Sequence, residues 1–231
     1  MATFGEMIYM VLDKLKIKSD DSHFNEDHIL FTLNSNRALL LKQKYSKGGK
    51  ISQSNYQTLC ISMEPLEVKK GIPCEIDAYY VISTKSIPSI NNLGITNIYV
   101  DNFTHNYINY VDTERFKYTG YNKRLPKMYY STVDYNNYLY IKGSTISTHD
   151  ITGVKVTAVF NDATTASELE CSKACDLYER EYPIEQSLIS ALIQVTVEEY
   201  SKSLYAIEDS TNNAKDDMSN EMVKANERSR K

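Results

Sequence analysis

Residues 56–63, YQTLCISM, decide the fold class of this 231-residue chain. Leu59, Ile61 and Met63 alternate with polar residues, and a period of two is the pattern of a strand buried on one face. The same alternation returns in residues 154–160, VKVTAVF. Segments with a helical period lie on both sides of these strands. The chain is therefore expected to be α+β, with helices flanking a sheet.

Further strand candidates lie between these two segments. They are residues 75–82, 97–100, 128–133 and 138–142. Asp134 to Asn137, DYNN, predicts a hairpin turn, because Asp and Asn tolerate turn geometry well. Pro65 is expected to end the first strand or to place it at an edge. Several short strands with turn residues between them favour a small antiparallel β-sandwich or barrel over a parallel sheet.

The first 46 residues predict two helices. Thr3 and Glu6 have the spacing of a capping box, and Asn25 is placed to cap the second helix. Apolar residues of the second helix cover more than one stripe. We expect such a helix to be covered on two sides, either by the first helix and a sheet or by a neighbouring subunit.

The chain after Phe160 is expected to be helical again. Thr165 is expected to cap a short helix that runs to Tyr178, and Pro183 suits the first turn of a longer one. This gives four predicted parts. They are an N-terminal helical hairpin (1–50), an antiparallel β domain (51–162), C-terminal helices that pack with the N-terminal pair (163–208) and an arm (209–231).

The arm combines many charges with a thin apolar stripe. Residues 209–231 contain five acids and five bases, a composition typical of a frayed tail unless a partner holds it. The stripe has helical spacing, so the arm is expected to be extended or helical and ordered by a partner. The candidate residues for contact with another subunit or another partner are Ile207, Met218, Met222, Arg228 and Arg230.

Composition excludes some classes of protein. The hydrophobic fraction of 42% and the charged fraction of 24% exclude wholesale disorder. No apolar run approaches the length of a membrane-spanning helix, so a soluble protein is expected. The opening residues include an acidic residue where a signal peptide has basic residues, so secretory targeting is not expected. The net charge of −4 argues against strong general attraction to nucleic acid or to an anionic membrane. Because no secretory targeting is expected, the four cysteines are expected to be reduced thiols. They are Cys60, Cys74, Cys171 and Cys175.

No motif predicts catalysis, a cofactor or a metal site. Cys171 and Cys175 would share a helix face, but a structural zinc site needs about four ligands and no histidine is near. The loop SKGGK at 46–50 lacks the spacing of a phosphate-binding loop. The chain is therefore predicted not to be an enzyme.

Basic residues near aromatic ones suggest another role. Phe116 and Tyr118 lie among the basic residues of segment 115–127. In a protein that binds single-stranded nucleic acid, such aromatic rings stack on the nucleobases while the basic side chains contact the phosphates. The alternative is a polar loop beside an aromatic-rich sheet. The candidate residues for facing DNA in a channel are Lys47, Lys50, Lys123, Arg124 and Lys127.

Several long stretches carry a family resemblance. They are FGEMIYMVLDKLKIKSDDSHFNEDHILFTLNSNRALLLKQKYS (4–46), NYQTLCISME (55–64), VDTERFKYTGYNKRLPKMYYSTVDYNNYLYIKG (111–143), ITGVKV (151–156) and AVFNDATTASELEC (158–171). In this order they resemble the ring-forming head-to-tail connector (neck or adaptor) proteins of crAss-like phages of Bacteroidales. The similarity runs from about residue 4 to residue 175, with a looser match in the final helices.

The resemblance implies a structural protein of a tailed-phage virion. Copies would form a homo-oligomeric ring, twelvefold by the family's pattern, that joins the portal vertex to the tail and surrounds the DNA exit channel. It implies assembly in the host cytoplasm, a place at the head–tail junction, contact with the portal and with other tail or neck rings, and non-specific contact with packaged DNA, without a membrane. The alternative hypothesis is a glycan- or receptor-binding module of the phage tail, in which the tyrosine-rich sheet would stack sugars.

Overall fold

Helices occupy both ends of the chain in the computed structural model. The structure describes residues 2–16, 25–46, 48–66, 79–100, 107–119, 128–143, 146–171 and 176–208. Within these residues the α-helices are α1 (Phe4–Lys16), α2 (Glu26–Tyr45), α3 (Thr113–Phe116), α4 (Ala163–Glu168) and α5 (Gln186–Glu208). Two short 3₁₀ turns cover Gln53–Asn55 and Ile146–Asp150.

The strands between the helices form one sheet. They are β1 (Gln57–Leu66), β2 (Tyr79–Ser83), β3 (Ile90–Val100), β4 (Asn109–Tyr110), β5 (Tyr130–Val133), β6 (Leu139–Gly143) and β7 (Gly153–Phe160). Their order across the described part of the sheet is β3-β7-β1-β2-β6-β5-β4. The predicted α+β fold is confirmed. One detail differs from a wholly antiparallel domain, because the short pair β4 and β5 is parallel.

The sheet curls until its two outer strands approach each other. The amide of Ile108 donates to the carbonyl of Ile98 on β3 at 3.0 Å. Tyr99 and Tyr107 form a bridge at the same place, with their rings edge to face. This contact brings β4 beside β3, at opposite ends of the strand order. The sheet is therefore barrel-like, as the short strands predict.

Strand β1 passes from one neighbour to another along its length. Residues Gln57 to Ser62 pair with β7, whereas Met63 to Leu66 pair with β2. Pro65 pairs with Val81 of β2 after the ladder with β7 has ended. A proline has no N–H to donate, so it fits where one side of the strand has no ladder. The expected edge position of Pro65 is confirmed.

Two apolar cores lie in separate layers. Alternate side chains of β1 and β7 point into the sheet's core with Val81, Leu139 and Ile141, as the period of two predicts. The helical core is built from α1, α2 and α5 around Phe4, Leu33 and Leu192. The helical layer therefore joins the two ends of the chain. The four-part division drawn from the sequence stays a prediction.

Both predicted N-terminal caps are present. The Thr3 amide donates to the Glu6 carboxylate, and the Glu6 amide donates to the Thr3 hydroxyl, which is a capping box. The Asn25 side chain accepts from the Asp27 amide at 2.9 Å. These bonds satisfy amide groups that the first helical turn leaves without partners. Local sequence thus determines where α1 and α2 begin.

Candidate functional site

Arg37 is the most unusual side chain of the described structure, since it is charged and 0% exposed. Its guanidinium donates to three backbone carbonyls, those of Pro183 at 2.7 Å, Phe160 at 2.8 Å and Asn55 at 3.2 Å. Burial lowers the pKa of Arg37, although the charge of Asp162 works in the opposite direction. One side chain of α2 therefore bonds to the end of β7, the segment before β1 and the segment before α5.

Two buried asparagines of α2 extend this polar network. Asn34 donates to the Asp162 carboxylate at 2.9 Å and accepts from the Tyr182 hydroxyl at 3.1 Å. Asn36 donates to Glu199 of α5 at 2.9 Å. Buried polar groups that are hydrogen-bonded fix a unique arrangement, because any shift would leave them without partners. Helix α2 is thus held in one position between α5 and the sheet.

The face of α2 that points away from α5 carries an apolar stripe. Phe31 is 71% exposed and Leu39 is 50% exposed, with Ser35 between them at helical spacing. Of the two alternatives offered for this helix, cover by other elements of the chain applies in part, and cover by a neighbouring subunit stays a prediction. Helix α5, the sheet and, to a smaller extent, the first helix cover the rest of α2, whereas the stripe around Phe31 has no cover from the described residues of its own chain.

A groove of about 480 Å³ lies between this stripe and the start of α4. Its apolar wall contains Leu30, Phe31 and Ala38. Asp27 and Asp162 are its charged residues, and its described lining contains no Lys or Arg. We call this feature the α2/α4 groove. It has an apolar floor and an acidic rim.

A second groove, of about 720 Å³, lies between α1 and α5. Met10 and Ile189 supply apolar surface, and Glu6, Asp13 and Lys14 line its polar parts. We call it the α1/α5 groove. It lies on the other side of the helical layer, against the helix that leads to the arm.

Exposed aromatic residues lie along β4 and in the turns that follow α3 and β5. Tyr135, in the turn between β5 and β6, is 89% exposed, and Tyr118, after α3, is 79% exposed. Tyr107, two residues before the short strand β4, and Tyr110, its last residue, are also exposed. Tyrosine is enriched at protein interfaces, because it joins a large apolar body to a hydroxyl. The sheet layer therefore carries an apolar surface of its own.

The prediction of reduced, packed thiols is wrong for two of the four cysteines. Cys60 of β1 and Cys171 form a disulfide, with 4.9 Å between their Cα atoms. Backbone pairing brings them together, since the Cys60 amide donates to the Leu169 carbonyl at 2.9 Å and Leu59 bridges Glu170. The expectation was based on the absence of an export signal in the sequence. That absence carries no information about which cysteines the backbone pairing brings together. Cys74 and Cys175 lie outside the described residues.

Within the described residues no group of three or more His, Cys, Asp or Glu side chains is arranged to hold a metal ion. His28 bonds to the Tyr200 hydroxyl, and burial raises the pKa of Tyr200 to about 12. His149 packs edge to face on Tyr79 with ring centroids 5.2 Å apart. Each of these two histidines therefore has a structural contact that accounts for it.

The structure reaches only two of the ten candidate contact residues. Lys50 is exposed in the loop after α2, and Ile207 belongs to the last turns of α5. The others lie outside the described residues, so their roles stay predictions: Lys47, Lys123, Arg124, Lys127, Met218, Met222, Arg228 and Arg230.

One predicted stacking platform is not available. Phe116 is buried and packs against the ring of Tyr80, with centroids 6.3 Å apart. Tyr118, two residues later, is exposed. One aromatic residue of this basic and aromatic segment is therefore buried, because Phe116 lies on the inward-facing side of the short helix α3.

The described helices include none that is long and apolar enough to cross a membrane.

Sequence reasoning missed the residues that organise the helical layer. A charged residue is normally assigned to the surface, so Arg37 gave no signal in a single sequence. The α2/α4 groove was missed for a related reason, because its second wall comes from a segment more than 120 positions away. Only the excess of apolar residues on α2 pointed to that face.

Comparison with known proteins identifies the family. The family model described as phage tail ring protein 2 matches residues 6–218. The chain is also similar to the protein named Ring protein 2 of Bacteroides phage crAss001. The two are 38% identical over 221 residues, which is 94% of this chain and 98% of that protein. The matched region includes both layers and begins in α1. This chain therefore belongs to the phage tail ring protein 2 family.

Proposed function

We propose that copies of this chain form a closed ring that joins the portal vertex of a crAss-like phage capsid to its tail and surrounds the DNA exit channel. Membership of the tail ring family makes the chain a structural ring component of a virion. The proposal adds its place at the head–tail junction, its contact with the portal and its twelvefold symmetry.

The observation that carries the proposal is the presence of exposed apolar surface on two different layers. In a head-to-tail ring, each copy presents one surface to the neighbour on its left and another to the neighbour on its right. The α2 stripe with Phe31 and the aromatic surface with Tyr135 are built from different elements and differ in chemistry. Such a pair suits a heterologous interface better than a symmetric dimer, which would use one patch twice.

The internal bonding of the helical layer supports the same conclusion. Arg37 fixes α2 against three other segments, so the exposed stripe is presented on a rigid support. An interface between rigid surfaces loses less conformational entropy on association than one between mobile surfaces. A ring that must withstand DNA passage benefits from this arrangement.

The basic residues are proposed to line or face the channel. Lys50 is exposed, as this role requires, and the segment with Lys123, Arg124 and Lys127 would supply further positive charge. Contacts of this kind are made to phosphates and carry no sequence information. They would let DNA pass without holding it at one place.

The experiment is to measure the mass and symmetry of the purified full chain, alone and with the portal protein, by light scattering and negative-stain class averages. A closed ring, alone or only with portal, supports the proposal. A stable monomer that ignores the portal and binds host-surface glycans would overturn it and favour the receptor-binding alternative.

A further inference from the structure

Helix α5 and the α2/α4 groove lie on opposite sides of α2. Helix α5 runs antiparallel to α2, since Lys44 bonds to Glu185 near the start of α5 and His28 bonds to Tyr200 near its end. On α2, Asn36 faces α5, whereas Ala38 lines the groove. Two positions correspond to a rotation of about 200° around a helix. Helix α5, which precedes the arm in sequence, thus packs on the side of α2 that faces away from the groove.

We propose that the α2/α4 groove binds the C-terminal arm, residues 209–231, of a neighbouring copy of the chain. The inference rests on the proposed ring and names the contact between its subunits. An arm that follows α5 and a receptor groove on the opposite side of α2 would form the two unlike surfaces of a head-to-tail contact. A copy that used its own groove would first have to turn its arm around the N-terminal end of α2.

The chemistry of the arm matches that of the groove. Met218 and Met222 are four residues apart, so in a helix they would present one apolar face to Phe31 and Leu30. Residues 218–228, the part that would lie in the groove, contain two acidic and two basic residues, and two further basic residues follow at 230 and 231. The groove's described lining has two acids, Asp27 and Asp162, and no base. An apolar face followed by positive charge therefore meets an apolar floor with an acidic rim, which is helix-in-groove recognition.

The dimensions agree as well. The groove extends along α2 from Asp27 to Ala38, which is about 17 Å at 1.5 Å per residue. Residues 218–228, from the first methionine to Arg228, would cover a similar length as a helix. The nine residues between Glu208 and Met218 would span up to about 30 Å if extended, enough to cross to an adjacent subunit.

The test uses the full chain with the photo-crosslinking residue p-benzoylphenylalanine in place of Phe31. Equal amounts of ¹⁵N-labelled and unlabelled protein are mixed, assembled with portal protein if required, irradiated and digested. Crosslinks from position 31 to residues 209–231 that join one labelled and one unlabelled peptide are the expected result. Crosslinks confined to one copy, or directed to other segments, would overturn the inference. If a ring forms but gives only crosslinks of these contradicting kinds, the inference about the arm fails and the proposed function stands.

A matched pair of substitutions gives an independent measurement. Phe31→Ser is expected to raise the protein concentration at half-assembly by about tenfold or more, because burial of a large aromatic contact is lost. Tyr9→Ser is the control, because Tyr9 of α1 is exposed to a similar extent (65%) and lines neither groove, so assembly is expected to stay unchanged. Circular dichroism and melting temperature verify that both variants fold. Equal assembly by wild type and Phe31→Ser would contradict the assignment. A second probe at position 10, in place of Met10, lies in the α1/α5 groove. Crosslinks of residues 209–231 to that probe and not to position 31 would also contradict the assignment.

Discussion

The two layers of the molecule are held together by different means. The sheet's core is aliphatic, and Leu59, Val156 and Ile141 are all fully buried within it. The helical layer has an apolar core too, but a buried charged residue, Arg37, joins it to the sheet. Apolar packing is tolerant of small shifts, whereas a guanidinium bonded to three carbonyls is not. The difference indicates that the orientation of α2, and with it the exposed stripe, is what the sequence specifies most strictly.

The largest effect is expected from removing that charged residue. Arg37→Met keeps an unbranched apolar stem but removes the guanidinium, which leaves the carbonyls of Asn55, Phe160 and Pro183 without their donor. Each buried carbonyl without a partner costs about 1–3 kcal/mol, so a loss of about 5 kcal/mol in the free energy of unfolding is expected. Urea unfolding measures it. Arg115→Met, at an exposed position of α3, is the control, and equal losses for the two variants would contradict the comparison.

Reduction of the disulfide is expected to have the next largest effect. The Cys60–Cys171 bond closes a loop with a sequence separation of 111 residues. A loop of that length restricts the unfolded chain strongly, so about 4 kcal/mol should be lost with Cys60→Ser. Thermal unfolding with and without reductant measures this loss in wild type, and Cys74→Ser is the control. A melting temperature that reductant does not change would show that the bond is absent from the protein in solution.

The aliphatic layer is tested by two substitutions on one strand. Leu59 points into the core, whereas its neighbour Thr58 is exposed on the other face of β1. Leu59→Ala is expected to cost about 3 kcal/mol through lost burial and a cavity, and Thr58→Ala less than about 1 kcal/mol. Chemical denaturation gives both values. A similar cost at the two positions would mean that the register of β1 is wrong by one residue.

The smallest effect concerns pH at the boundary between the layers. Burial raises the pKa of Glu170, although a hydrogen bond from Gln57 and the charge of Arg180 lower it in part. A carboxyl whose pKa is higher folded than unfolded stabilises the fold below its unfolded value, and this contribution is lost as pH rises through the folded value. Glu170→Gln should therefore raise the melting temperature slightly at pH 7 and have less effect near pH 4. The opposite trend would show that the charge of Glu170 is favourable where it lies.

Features that depend on near neighbours in sequence were predictable. The capping box of Thr3 and Glu6, the cap at Asn25 and the alternation in β1 need only a few adjacent residues, and each is present. The turn after β5 belongs to the same group. Asp134 accepts from two following amides, and Asn137 adopts a φ of 61°, which asparagine tolerates better than most residues.

Features that depend on distant segments were predicted less well. Thr165 was expected to cap α4, but Asp162 is the cap, because Asn34 of α2 also bonds to its carboxylate and fixes it there. The helix ends at Glu168 rather than at Tyr178, since Leu169 and Glu170 pair with β1 instead. The longer helix begins at Gln186, three residues after Pro183, whose carbonyl bonds to Arg37. In each case a tertiary contact prevailed over local propensity.

The central claim is that this chain forms a ring with two unlike surfaces at the head–tail junction. An electron cryo-microscopy reconstruction of the intact virion, calculated without imposing symmetry on the neck, tests this claim most directly. The account predicts density for twelve copies of this chain around the DNA channel, between portal and tail. Density for the chain at peripheral tail fibres, or isolated copies that make no contact with one another, would contradict it.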